Sequence, residues 1–142
     1  MSKQQIYVNL PVKNLEASRA FFGALGFGFH PQFSDDNAAC MIVSNDHIYV
    51  MLLAEPFFQT FISKKIADAR TSTEVLLCLS RDSRAAVDDM VAKAVAAGGS
   101  IAREAQDHGF MYQHAFEDLD GHIWELAFME EMQESMPPSE GQ

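Results

Sequence analysis

The sequence predicts an α+β fold built from two successive βαβββ modules. Three observations lead there. Asp120-Gly121 lies between a strand ending at Asp118 and a run returning from Ile123. Such a pair marks a β-hairpin, because glycine takes the positive φ that the turn needs. A weaker copy, Asn45-Asp46 leading into His47-Ile48-Tyr49-Val50-Met51-Leu52, makes Glu125-Leu126 a repeat of Met51-Leu52 at a distance of 74 residues. That is about half the chain, as an internal duplication requires. Each half also holds one helix with its own start and stop signals.

In chain order, the first half reads as a strand near 6–10, a helix near 15–25, and strands near 27–33, 38–43 and 47–53. Asn14 can cap the helix, and Gly26 can end it in the left-handed conformation. Pro56 after Glu55 opens a short helix with proline in its first turn. Phe57, Phe58, Phe61 and Ile62 follow, either closing a pocket, covering a partner subunit or plugging the core, and the last of these is preferred. Lys64-Lys65 marks a polar linker. The second half reads as a strand near 74–79, a helix near 84–97, and strands near 100–105, 111–117 and 123–128. Asp82 or Ser83 can cap its helix and Gly98-Gly99 can end it. Val87, Met90, Val91, Ala94 and Val95 recur at helical spacing and predict one apolar stripe packed on a sheet, with Asp88, Asp89 and Lys93 in solvent.

Glu125 is the residue that asks for an explanation. A carboxylate inside an apolar strand is costly to bury unless it is paired, coordinated or protonated. Glu125 is therefore either a site residue or the outward-facing member of the alternation, and Trp124 beside it faces the opposite way, into the core. If Glu125 points into a cleft, it can act as a general base or anchor a ligand. Otherwise it pairs with a neighbour such as His114 or Tyr112, which share one face of the preceding strand. Tyr7 and Asn9 are further candidate lining residues. The five histidines, His30, His47, His108, His114 and His122, fall in no recognised zinc spacing.

Two βαβββ units, the opening run Val8-Asn9-Leu10-Pro11-Val12-Lys13-Asn14-Leu15-Glu16-Ala17-Ser18 with Phe21-Phe22 and Leu25-Gly26-Phe27, and the closing run from Phe116 to Glu125 resemble the vicinal oxygen chelate superfamily. Glyoxalase I, bleomycin-resistance proteins and extradiol dioxygenases belong to it. The resemblance covers roughly residues 5 to 129 and implies a cupped mixed sheet, the glyoxalase/bleomycin-resistance/dioxygenase fold. It divides the chain into a glyoxalase-like domain over 1–129, with modules at about 5–54 and 73–129 joined by a linker over 55–72, and an acidic flexible tail over 130–142. In metal-binding members, His, Glu or Gln on the first and last strand of each module hold the ion. Here the resemblance puts Tyr7, Met51, Leu76 and Glu125 at those positions. A hard divalent cation needs several oxygen or nitrogen donors, and one carboxylate does not make a site. No cofactor is therefore expected; if a divalent metal binds, Glu125 is its ligand.

The resemblance accordingly implies a small-molecule binder, holding an organic ligand in a cup between the modules without the metal. The ligand-facing residues would be Tyr7, Asn9, Met51, Leu76, Tyr112, His114 and Glu125. The alternative is a glyoxalase-type lyase or isomerase with Glu125 as base or as ligand of an atypical metal site. A homodimer is expected, as is common among relatives and for closed assemblies generally.

Composition fits either reading. A chain of 142 residues with 48% hydrophobic residues can bury one domain core. No apolar run approaches the ~20 residues that span a bilayer, and the N-terminus carries no signal-like segment. A net charge of −10 argues against nucleic acid or anionic membranes as partners, since both attract positive surfaces. The cytoplasm is the expected location. Cys40 and Cys78 are expected as reduced, buried small hydrophobes.

Overall fold

A computed structural model of the chain describes residues 4–130; the acidic tail expected from residue 130 onward falls, after its first residue, outside them. The described residues form two compact units. The first runs to Ser72 and includes Leu119–Gly121, and the second begins at Thr73 without those three residues. Among the described residues, no helix is long and apolar enough to cross a membrane.

The first unit holds β1 (Ile6–Val12), α1 (Leu15–Ala24), β2 (Gly28–Phe29), a 3-10 turn over Pro31–Phe33, β3 (Ala38–Ser44), β4 (Ile48–Ala54) and α2 (Glu55–Gln59). Its sheet runs in the order β1-β4-β3-β2, with β1 parallel to β4 and the other pairs antiparallel. Asn14 caps α1 by accepting from the Ala17 N–H at 3.0 Å, and Gly26 follows at φ 107°. β1 outruns the expected strand by two residues because Pro11 lies on an edge strand, where a missing N–H is tolerated. The strand expected over 27–33 is a correction: two residues pair, and Pro31 then opens the 3-10 turn, since proline cannot donate to a ladder. One face of the sheet buries Leu10, Val12, Ala39, Met41, Val50 and Leu52, and α1 contributes Leu15, Phe21 and Phe22 to this core.

The Phe-rich segment also departs from the expected core plug. Phe57 and Phe58 are half-buried, and Phe61 is 65% exposed, packing edge-on against Phe57. The segment after α2 belongs to the first unit and ties into the loop of the second hairpin. Arg70 donates to the Leu119 carbonyl, and Asp120 Oδ1 accepts from the Lys13 N–H at 2.9 Å.

The second unit repeats the order with β5 (Leu76–Ser80), α3 (Arg84–Ala96), β6 (Ser100–Asp107), β7 (Met111–Glu117) and β8 (Ile123–Met129). Its sheet runs β5-β8-β7-β6, again with the first pair parallel. Of the two capping candidates, Ser83 accepts from the Ala86 N–H at 3.0 Å. Val87, Met90, Val91 and Ala94 are buried as the stripe predicts, whereas Val95 is 43% exposed on its margin. Trp124 is buried and stacks on Phe116 at 6.3 Å between ring centroids.

Asp118 organises the closing turn. It is 2% exposed, and its Oδ1 accepts from the His122 N–H while its Oδ2 accepts from Trp124 Nε1–H, both at 3.0 Å. Replacing Asp118 by Ala strands the buried indole donor and frees the turn. A loss of about 2 kcal/mol in urea denaturation is expected. Gly121 is constrained twice over. It sits at φ 94°, and a Cβ there would meet the Ala69 carbonyl group and the Arg70 nitrogen at 3.1 Å. Gly121→Ala should cost on the order of 1–3 kcal/mol in the same assay.

Candidate functional site

Each sheet has one face covered by its helix, and the register fixes which residues stand on the other. In the first unit, Asn9, Met51 and Cys40 form one transverse row across β1, β4 and β3, and Tyr7 pairs with Tyr49 two residues back along the same face. Tyr7 stacks on Tyr49 at 5.1 Å with planes 12° apart. Tyr7, Asn9, Cys40 and Met51, with Phe33 from the 3-10 turn, line a depression of about 370 Å³. Asn9 donates its amide to the Tyr7 carbonyl at 3.3 Å, which directs the side chain while its oxygen accepts from no group among the described residues. The pocket thus joins two aromatic rings, one thioether and one thiol to the Asn9 amide.

The second unit places Cys78, Glu125, Ala115 and Arg103 in the corresponding row across β5, β8, β7 and β6. Arg103 Nη1–H donates to Glu125 Oε2 at 3.0 Å. The Glu125 side chain is 13% exposed and that of Arg103 36%. Glu125 therefore faces away from Trp124, as alternation requires, and its burial is offset by an ion pair with a hydrogen bond.

That partner is the main departure from the sequence reading. His114 and Tyr112 do share a face, but it is the helix-covered one. His114 pairs with Leu126, and the Tyr112 hydroxyl donates to Asp88 on α3 at 2.6 Å. Neither reaches Glu125 in this geometry. His114 instead lies beside the backbone of the residue that does: its Nδ1 is 3.0 Å from the Arg103 carbonyl oxygen and also 3.0 Å from the Ala115 nitrogen, whose N–H donates to it. Arg103 escaped notice because β6 is bulged. Ile101 pairs with Phe116 and Arg103 with Ala115, so two steps on β6 match one on β7. Without the extra residue, strict alternation would turn Arg103 to the helix side. An Arg within a bulge leaves no periodic mark in a sequence.

Cys78 is a second correction. Cys40 is buried, but Cys78 on the edge strand is exposed, and both are free thiols. Partial burial pushes the Cys78 thiol above the ordinary range. The Glu125 carboxylate pushes in the same direction, and the Arg103 guanidinium works against both.

The four positions at which the resemblance places metal ligands carry a phenol at Tyr7, a thioether at Met51, an aliphatic chain at Leu76 and the Glu125 carboxylate, already bound to a guanidinium. Among the described residues, no group of three or more His, Cys, Asp or Glu side chains comes together as a cation site. This donor set does not fit a hard octahedral ion.

Residues 4–44 match the family described as bleomycin resistance protein-like N-terminal. A hypothetical protein of S. aureus is similar over 90% of this chain and 95% of its own, with 29% identity and a TM-score of 0.74. A glyoxalase-related enzyme from Fulvimarina pelagi shares 23% identity at a TM-score of 0.75, over 89% of this chain and 88% of its own. A glyoxalase/bleomycin resistance protein/dioxygenase family enzyme from Burkholderia phytofirmans shares 19% identity at 0.72, over 87% and 96%. No curated protein matches.

The Cys78 row makes a signed prediction. Iodoacetamide attacks the thiolate, so at about pH 8 Glu125→Gln should speed the alkylation of Cys78 by removing a charge that opposes ionisation. Arg103→Met should slow it. Mass spectrometry of the modified peptide, with buried Cys40 as internal reference, reads both rates; the opposite order would show that the row does not interact as described.

Proposed function

We propose that this chain, which has the glyoxalase/bleomycin-resistance fold, is a vicinal oxygen chelate superfamily protein that binds a small, largely apolar organic molecule without a metal centre. The pocket of Tyr7, Asn9, Phe33, Cys40 and Met51 carries the reading. Its volume of about 370 Å³ lies within the roughly 300–1,000 Å³ of small-molecule sites, which are mostly apolar with a few placed polar groups. The walls favour a flat ligand. Tyr7 and Phe33 offer π surfaces, Met51 a polarizable sulfur that adapts to shape, and Asn9 a single hydrogen-bonding point that fixes orientation.

The metal-free part of the proposal rests on donor chemistry. A phenol, a thioether and an aliphatic chain offer a divalent cation too little, and the one carboxylate is engaged by Arg103. The second reading, Glu125 as general base, draws no support from its surroundings, since Oε2 already accepts a hydrogen bond.

The neutral fluorophore N-phenyl-1-naphthylamine tests the pocket. Saturable fluorescence enhancement is expected with the native chain and unchanged by a metal chelator. Met51→Trp, which fills the depression, should weaken binding about tenfold, equivalent to ~1.4 kcal/mol, with Phe33→Ala weakening it less. Binding that ignores both substitutions would place the ligand elsewhere. Near-stoichiometric Ni, Zn, Mn or Fe after incubation and desalting, read by elemental mass spectrometry, would overturn the metal-free assignment.

A further inference from the structure

The Arg103–Glu125 pair is unevenly made. Arg103 has five N–H donors, and the pair engages Nη1 alone. Its Nε lies buried without a hydrogen-bond partner, and Nη2 donates to no group among the described residues. A desolvated guanidinium N–H left unpaired is costly, more so than a neutral donor. Nε and Nη2 form the edge of the planar fork that meets the two oxygens of a carboxylate side-on. The same open face carries the exposed Leu76 and Cys78, the buried Ala115 and, two residues along β7, Glu117.

We propose that the open face of the second unit is an oxyanion site, with the Nε/Nη2 edge of Arg103 receiving the carboxylate of a small organic acid and Glu125 positioning the guanidinium through Nη1. The proposal rests on Arg103 and Glu125 and not on the reading given for the pocket of the first unit. The carboxylate is favoured over phosphate by charge. Arg103 is already balanced by Glu125, so a monoanion leaves one net negative charge on the row, whereas a dianion leaves two with no second cation to meet them. The side chain is 36% exposed while Nε is buried, so a ligand approaching from the solvent side must draw Nε–H out by a turn of the guanidinium about its Nη1 hydrogen bond. His114 lies against the bulge from the other face, with Nδ1 3.0 Å from both the Arg103 carbonyl oxygen and the Ala115 N–H nitrogen.

The test uses sodium benzoate and its neutral isostere benzamide as probes on the full chain, followed through the Arg103 Nε–Hε resonance in ¹H–¹⁵N spectra. Benzoate should shift that resonance saturably and benzamide should not. The net charge of −10 disfavours non-specific anion binding, which makes saturation diagnostic. Arg103→Lys keeps the charge but loses the fork. It should weaken benzoate binding, followed by saturation-transfer difference, roughly fivefold or more while the native amide spectrum is retained. Equal shifts from benzoate and benzamide, undiminished binding in Arg103→Lys, or tighter binding of inorganic phosphate than of benzoate would each overturn the assignment. If Arg103→Lys perturbs the fold, His114→Ala serves instead: benzoate affinity should fall with the loosened bulge, and unchanged affinity would count against the proposal. Binding of N-phenyl-1-naphthylamine in the same samples reports the first pocket separately, so either site can fail alone.

Discussion

The pleat of β8 is the constraint on which the second unit depends. Adjacent residues on a strand point to opposite faces, so the decision that buries Trp124 also sends Glu125 to the open side. Trp124 is held by more than burial. Its indole N–H is committed to Asp118, and that carboxylate closes the turn leading into the strand. A slip of one residue would put a carboxylate under α3 and an indole in the open row, losing the packing and the hydrogen bond together. The turn chemistry and the position of Glu125 are therefore one fact.

The same logic operates with different residues in the first unit. Its register puts Tyr7, Asn9, Met51 and Cys40 on the open face, and Leu10, Leu52 and Ala39 on the covered one. What duplication preserves is the alternation, while the chemistry on the open faces has diverged. One has become an apolar and aromatic wall, the other an acid, a base and a thiol in line. A fold that fixes which positions face outward leaves open what those positions do, which is why one architecture can carry unrelated activities.

Much of the fold was legible because its signals are local. Caps at Asn14 and Ser83, the glycine after α1, the Asp-Gly hairpin and the stripe of Val87, Met90, Val91 and Ala94 each act within a few residues. Strand ends are less legible, and for identifiable reasons. Pro11 continues a strand that it would break at the centre of a sheet, and only the tertiary fact of an edge position allows it. Pro31 ends a strand early because His30 and Phe33 turn at once into a 3-10 turn. The pairing of Tyr112 and His114 with Glu125 failed for a different reason. Their mutual alternation was right, but which face they share is set by pairing with a strand distant in sequence, and His114 falls opposite Leu126.

Arg103 shows most clearly what a sequence withholds. Its side chain reaches Glu125 only because β6 carries an extra residue before it, and a bulge is a relation between two strands and not a property of one. Such irregularities gather where a chain must aim a side chain against the local alternation. Here the cost is a disrupted ladder, and the His114 ring nitrogen lies 3.0 Å from the Arg103 carbonyl oxygen at the same place. A bulge retained merely by accident would have no reason to deliver a guanidinium to the one carboxylate on an otherwise uncharged row, nor to leave one edge of that guanidinium without a partner. The irregularity, the ion pair and the unpaired donor are consequences of a single backbone choice, and a choice that costs pairing on one strand is understandable if the row it completes has something to hold.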